Sequence, residues 1–118
     1  MALTGVHITA GYVGGDGASR VIGATRQASA VQLARKASWS QTMASAGTTA
    51  AGAPSKSEIK GEPCFEVRSS ADIYVAIGTA PDASQAAGTG DTARVFVPAN
   101  ETRNIICDAG DKLAWVLA

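Results

Sequence analysis

The side chains from which chemistry could be built are few: one histidine, His7, two cysteines, Cys64 and Cys107, and a close carboxylate pair, Asp108 and Asp111. A nucleophile needs a base within hydrogen-bond reach, and His7 is the one side chain able to exchange a proton near neutrality. It stands in a β-prone run with no acidic residue within five positions on either side. That context reads as a strand histidine, exposed or capped by a neighbouring group. Zinc asks for four nitrogen or sulfur ligands, which one histidine and two separated cysteines do not supply. The cysteines lie 43 residues apart without a CxxC pair. They read as half-buried strand residues in a reducing compartment, with a disulfide left open after release from the cell. Asp108 and Asp111 could serve as the acid and base of a glycosidase. Flanking Ala109-Gly110, however, they have the composition of a tight turn. The glycine-rich strings Gly14 to Gly17 and Gly88 to Gly90 lack the Lys-Ser/Thr ending of a nucleotide loop. The Asn100-Glu101-Thr102 sequon has meaning only in a secreted eukaryotic protein. These residues predict no catalytic group, no metal and no cofactor. Trp39, Trp115 and Tyr74 are left as aromatic side chains that could form a sugar-binding or protein-binding surface, or else close a core.

The elements that must hold these residues are drawn from an unusual composition. Ala 24, Gly 13, Ser 10 and Thr 10 make up nearly half of 118 residues, whereas Val, Ile, Leu, Met, Phe, Trp and Tyr together number 28. A chain of this length fits one domain. With so few bulky side chains, part of its order is expected to come from contact with other chains. Ten basic and ten acidic residues cancel, which argues against nucleic acid, membrane or a polyanion as the main partner. The charge is uneven along the chain: residues 1 to 59 carry five cations and two anions, residues 60 to 118 five cations and eight anions. No run approaches the roughly 18 apolar residues of a membrane span. Met1 to Gly15 shows no basic leader followed by an apolar block, so no secretory signal is read there.

Periodicity is clearest after residue 62. Phe65 and Val67 alternate with Glu66 and Arg68, and Ile73, Val75 and Ile77 share a face, so Pro63 to Ser69 and Asp72 to Gly78 read as antiparallel strands. Residues 79 to 91 hold Pro81, Asp82 and two glycines without a bulky side chain, the composition of a surface loop. Thr92 to Val97, Thr102 to Cys107 and Lys112 to Leu117 are further β-prone runs. Strands with such short connections predict an all-β antiparallel sandwich, jelly-roll-like. Towards the N-terminus, Leu3 to Ala10 and Arg20 to Ala24 read as strands around a Gly-rich turn from Gly11 to Gly17. Residues 26 to 46 are ambiguous, because Trp39 and Met43 stand at the i,i+4 spacing of a helix, although strands are favoured. The expectation is therefore a single domain in which residues 1–43 form a less regular N-terminal arm or hairpin, 44–61 a flexible loop or linker, and 62–118 a C-terminal β unit.

The segment from Cys64 to Pro81, the turn Val97-Pro98-Ala99-Asn100 and the closing run Asp108-Ala109-Gly110-Asp111-Lys112-Leu113-Ala114-Trp115-Val116 together resemble small β-sandwich virion structural proteins of tailed bacteriophages. A fainter likeness lies at Gly11 to Arg26. The resemblance implies a capsid-associated part: a head decoration or cement protein, a spike base, or a neck or tail component. It carries no catalytic residue across.

The functional expectation is a non-enzymatic virion protein, assembled in the bacterial host cytoplasm, that forms a homo-oligomer and binds the major capsid protein or an adjacent virion protein. Strand or arm addition between chains would offset the shortage of internal core. Arg20, Arg26, Arg35 and Lys36 are the candidate lattice contacts, together with residues 44 to 57, and Trp39 and Trp115 the candidate anchors. The rival reading is a carbohydrate-binding or receptor-binding module built from the 79 to 91 loop and an exposed tryptophan. A small hydrolase using His7 ranks last.

Overall fold

The computed structural model describes residues 3–13, 36–57, 60–85 and 88–118. Among these residues, eight strands form two antiparallel four-stranded sheets. They are β1 (Val6–Val13), β2 (Trp39–Met43), β3 (Gly47–Thr48), β4 (Glu62–Ser69), β5 (Ile73–Gly78), β6 (Val95–Val97), β7 (Thr102–Ile106) and β8 (Lys112–Leu117). The first sheet runs β2-β1-β4-β7 and the second β3-β8-β5-β6. Alternation decides which face of each strand turns inward. Val6, Ile8 and Ala10 of β1 and Phe65 and Val67 of β4 meet Ile73 and Val75 of β5, Val97 of β6, and Leu113 and Trp115 of β8 in one core. A second, smaller cluster of Ala76, Ala83 and Ala114 lies apart from it, with Val116 packed alongside. There the loop after β5 comes down on a sheet face lined by small side chains. The antiparallel sandwich expected from the sequence is the observed architecture.

The pairing is that of a jelly roll. The ladders β1 with β2, β3 with β8, β4 with β7 and β5 with β6 are all antiparallel. They amount to one long two-stranded ribbon, folded over at the β5–β6 connection and rolled up. The contacts of β1 with β4 and of β5 with β8 then close each half of the roll into a sheet. Counted from β2, the first strand β1 stands where a strand following β8 would stand. Consistent with that placement, Thr4 and Leu117 line the same cavity at one end of the sandwich.

Two local readings change, and at Trp39 to Met43 the strand favoured over a helix is the one observed. β1 continues through Gly11, Tyr12 and Val13, which pair with Cys64, Pro63 and Glu62, so the first half of the Gly-rich turn is strand. Trp39 and Met43 are the two ends of β2, and both pack on the core. Positions i and i+4 share a face in a strand as well as in a helix, and this is why the spacing alone was ambiguous. The linker-like stretch is tied down. Gly47 and Thr48 pair with β8 as β3, the Thr49 amide donates to the Leu113 carbonyl at 2.8 Å, and Ala53 exchanges bonds with Asp111 and Gly110. Small residues suit this stretch because it runs close to another loop: a Cβ on Gly52 would stand 2.6 Å from the Gly110 carbonyl oxygen. The N-terminal strands are not set apart from the C-terminal unit, since β1 lies between β2 and β4. The strand expected at Arg20 to Ala24, and residues 26 to 35, lie outside the described residues.

Candidate functional site

The side chains that could carry chemistry are each committed to structure. His7, on the outer face of the first sheet, has Nδ1 2.8 Å from the Thr42 hydroxyl and Nε2 3.3 Å from the Thr9 hydroxyl. Both ring nitrogens are thus held by hydroxyls, and no carboxylate among the described residues orients the imidazole. The Asp108–Asp111 pair closes the turn before β8. The Asp111 carboxylate accepts the Asp108 amide at 3.0 Å, and Gly110 takes the left-handed φ of 82°. Cys64 and Cys107 are buried thiols at the junction of β4 and β7, where the Cys107 amide donates to the Pro63 carbonyl at 3.0 Å. Burial pushes the Cys64 thiol up to about 11, with the Glu66 carboxylate adding to the effect. Burial likewise pushes Cys107 up to about 12, helped by Asp111, by Cys64 and by Asp108. Thiols held protonated in this way are poor nucleophiles. Among the described residues no group of three or more His, Cys, Asp or Glu side chains is arranged to hold a metal ion.

Of the candidate contact residues, Lys36, Trp39 and Trp115 lie among the described residues, and each has a different setting. Arg20, Arg26 and Arg35 lie outside the described residues. Lys36 is exposed and borders a shallow cavity of about 180 Å³ with Tyr12, Ser38 and Lys60. In that cavity the Lys60 ammonium lies 5.7 Å from the centre of the Tyr12 ring. Trp39 is half-buried. Its indole N–H donates to the Gly52 carbonyl at 2.8 Å and its ring meets Phe65 edge-on at 5.8 Å. It therefore clasps the 44–57 segment against the first sheet. Trp115 is 3% exposed, so in this chain it anchors the core between the sheets and offers no surface contact. Its indole nitrogen is buried without a hydrogen-bond partner among the described residues.

What the structure brings together instead lies along one side of the sandwich. β6 and β7 are consecutive in the chain, and each is the last strand of its sheet. The opposite side, edged by β2 and β3, is spanned by the 44–53 segment through the Trp39–Gly52 bond and a bond from the Ala50 amide to the Gln41 side chain. Along the β6/β7 side three large apolar side chains are exposed, Val95 and Phe96 at 45% each and Ile106 at 63%, whereas Val97 is buried and Ile105 half-buried. Next to them the Arg94 guanidinium lies 3.8 Å above the Tyr74 ring. It also donates to the Ala83 carbonyl at 3.2 Å, while Phe96 meets Tyr74 edge-on at 5.6 Å. The 79–91 loop is held beside this cluster by Asp91, whose carboxylate accepts the Thr79 hydroxyl and the Ala80 amide. Within the loop, hydrogen bonds from the Ser84 hydroxyl and amide hold the Asp82 carboxyl below its ordinary range. Sequence reasoning missed Phe96 and Ile106 as surface residues. The available signal was their phase: each is apolar at a position that alternation assigns to the outer face.

Among the described residues, the fold is an eight-stranded antiparallel jelly roll in which β6 and β7, each the last strand of its sheet, lie on one lateral side. No known protein family, curated protein or solved structure matches the chain.

Proposed function

We propose that this chain is a non-enzymatic structural protein of a tailed-bacteriophage virion, a capsid decoration or cement protein that binds the major capsid protein. The observation that carries the reading is the β6/β7 side, where each sheet ends in an edge strand with exposed apolar side chains, Val95 and Phe96 on β6 and Ile106 on β7, Phe96 and Ile106 lying on the outer faces of their respective sheets. An uncovered strand edge is a template for another chain, and isolated domains usually blunt it. The jelly roll is an architecture that recurs in viral capsid proteins, and this supports the reading by analogy of fold. So does the resemblance of the strands and turns from Cys64 to Val116 to phage virion proteins. On a particle, many copies making modest contacts act together, so no single contact need be strong.

The test is cosedimentation of the purified protein with particles assembled without it, combined with mass spectrometry of intact particles. Saturable binding in a fixed ratio to the major capsid protein is expected. Absence from the particle, or no binding to the depleted one, would overturn the reading. A density map that places the chain at the neck or tail would move it to that part of the virion. The Arg94–Tyr74–Phe96 cluster beside the 79–91 loop favours a second reading, a carbohydrate-binding module, with these side chains in place of the tryptophan expected from the sequence. Binding on a glycan array that is lost in Phe96→Ala would select it.

A further inference from the structure

We infer that a second copy of this chain adds antiparallel to β7 about a two-fold axis through Asn104, joining two sandwiches through a continuous sheet. The inference builds on the assembly reading above, and it names the first partner of the β6/β7 side.

The backbone decides which groups are offered. The Cys107 amide donates to the Pro63 carbonyl, and these two residues continue the register in which Ile105 faces Phe65 and Arg103 faces Val67. In an antiparallel ladder hydrogen-bonded and non-hydrogen-bonded pairs alternate. Cys107, Ile105 and Arg103 therefore direct their backbone groups to β4. Thr102, Asn104 and Ile106 direct theirs away from the sheet, and four of the five residues of β7 are exposed.

The side chains decide the register. A two-fold pairing that bonds the outward groups can be centred on any residue of the strand. Centred on Arg103, it sets the two Arg103 guanidinium groups opposite each other, like charges across a ladder. Centred on Thr102, it runs into Asn100, whose left-handed φ of 63° ends the strand. Centred on Ile105 or Ile106, it leaves at least Thr102 and Arg103 without strand partners. Centred on Asn104, it pairs every residue of β7: Thr102 with the copy's Ile106, Arg103 with the copy's Ile105, and Asn104 with itself. About six backbone bonds result. Each Arg103 keeps its own counter-ion, Glu101, at 3.1 Å, and its aliphatic stem lies against an isoleucine. Ile106 gains a neighbour on the face where it is now exposed. The chain's zero net charge puts no overall repulsion between copies.

The experiment is sedimentation equilibrium of the full chain over a concentration series reaching about 100 µM, a range suited to a contact of this size. Wild type is expected to pass from monomer to dimer. In Asn104→Pro the imino ring removes a donor that the fold does not use, so the melting temperature stays near wild type while the dissociation constant rises more than about tenfold. Two double variants read the register on exposed side chains alone. Thr102→Glu with Ile106→Lys sets opposite charges against each other and retains the dimer, whereas Thr102→Lys with Ile106→Lys sets like charges together and abolishes it. A monomeric wild type, a dimer unaffected by Asn104→Pro, or equal behaviour of the two double variants would overturn the inference. The two proposals fail separately: a monomer that still saturates depleted particles removes the dimer alone, and a dimer that binds no particle removes the virion reading alone.

Discussion

Thr49 offers a stringent test of the argument that the small-residue stretch between β2 and β4 is part of the fold. The side chain is 2% exposed. Its hydroxyl accepts the Leu113 amide at 3.1 Å and donates to the Ala51 carbonyl at 3.1 Å, while its own amide bonds to the Leu113 carbonyl. Thr49→Val keeps the volume, the β-branch and the backbone bond, and deletes only the hydroxyl. The Leu113 amide then has no acceptor in a fully buried position, which costs about 1–3 kcal/mol. The added methyl returns up to about 0.8 kcal/mol. The net loss is expected at about 1–2 kcal/mol, a fall in melting temperature on the order of 5 °C for a domain of this size. Thr49→Ser retains both hydrogen bonds and loses one methyl, at about 1 kcal/mol. Urea unfolding measures the totals, and amide exchange locates them. In the valine variant the Leu113 amide should lose protection beyond the global change, whereas in the serine variant it should follow the global change. A valine variant as stable as wild type, with Leu113 still protected, would refute the view that this hydroxyl fastens the segment to β8.

Further outcomes follow from the same contacts. Trp39→Phe should destabilise more than Trp115→Phe although Trp115 is the more buried. The first substitution breaks the bond to Gly52, and the second removes an unpartnered indole N–H whose burial already costs about 1–3 kcal/mol; chemical denaturation giving the reverse order would refute this. Gly5→Ala should cost at least about 2 kcal/mol, because φ is +88° and the new Cβ would stand 2.2 Å from the Met43 carbonyl oxygen. Thermal melting checks it. The thiols titrate near 9.0 when unfolded and at about 11 and about 12 when folded, so the stability they contribute is complete below pH 9 and is lost as pH rises towards those higher values. By pH 10 the loss should be about 1 kcal/mol for each thiol. It should vanish in a Cys64→Ala, Cys107→Ala double variant, and urea titrations at pH 8 and pH 10 measure the difference.

Legibility from the sequence tracked how strongly each strand alternates. Cys64 to Ser69 and Ile73 to Gly78 were plain because one face of each carries Phe, Val or Ile at every second position, with Glu and Arg between them in the first strand and Tyr and Ala in the second. The turn at Asp108 to Asp111 was plain because Gly110 supplies a left-handed φ between two carboxylates that bond locally. β3 was invisible: Gly47 and Thr48 have no apolar phase, and they become a strand only because β8 lies beside them. The surface was read less well. Trp115 looked like an anchor for a partner because tryptophan is common in interfaces, yet its place opposite Gly47, in the middle of a sheet, turns it into the core. Phe96 and Ile106 drew no notice because each stands among apolar neighbours, Val95 and Val97 or Ile105 and Cys107, where composition alone hides the phase.

The order of residues alone therefore determined the class of fold: alternation at period two and short polar turns leave an antiparallel sandwich as the solution. Tertiary structure decided which strand lies beside which, and so which edges stay open. That choice depends on pairings between residues far apart in the chain, such as Val6 with Ser69 and Gly47 with Trp115. Backbone hydrogen bonds are the same for every side chain, so no local pattern encodes them. Only the joint fit of two sheets around Phe65, Ile73 and Leu113 selects one arrangement, and it leaves β6 and β7 uncovered.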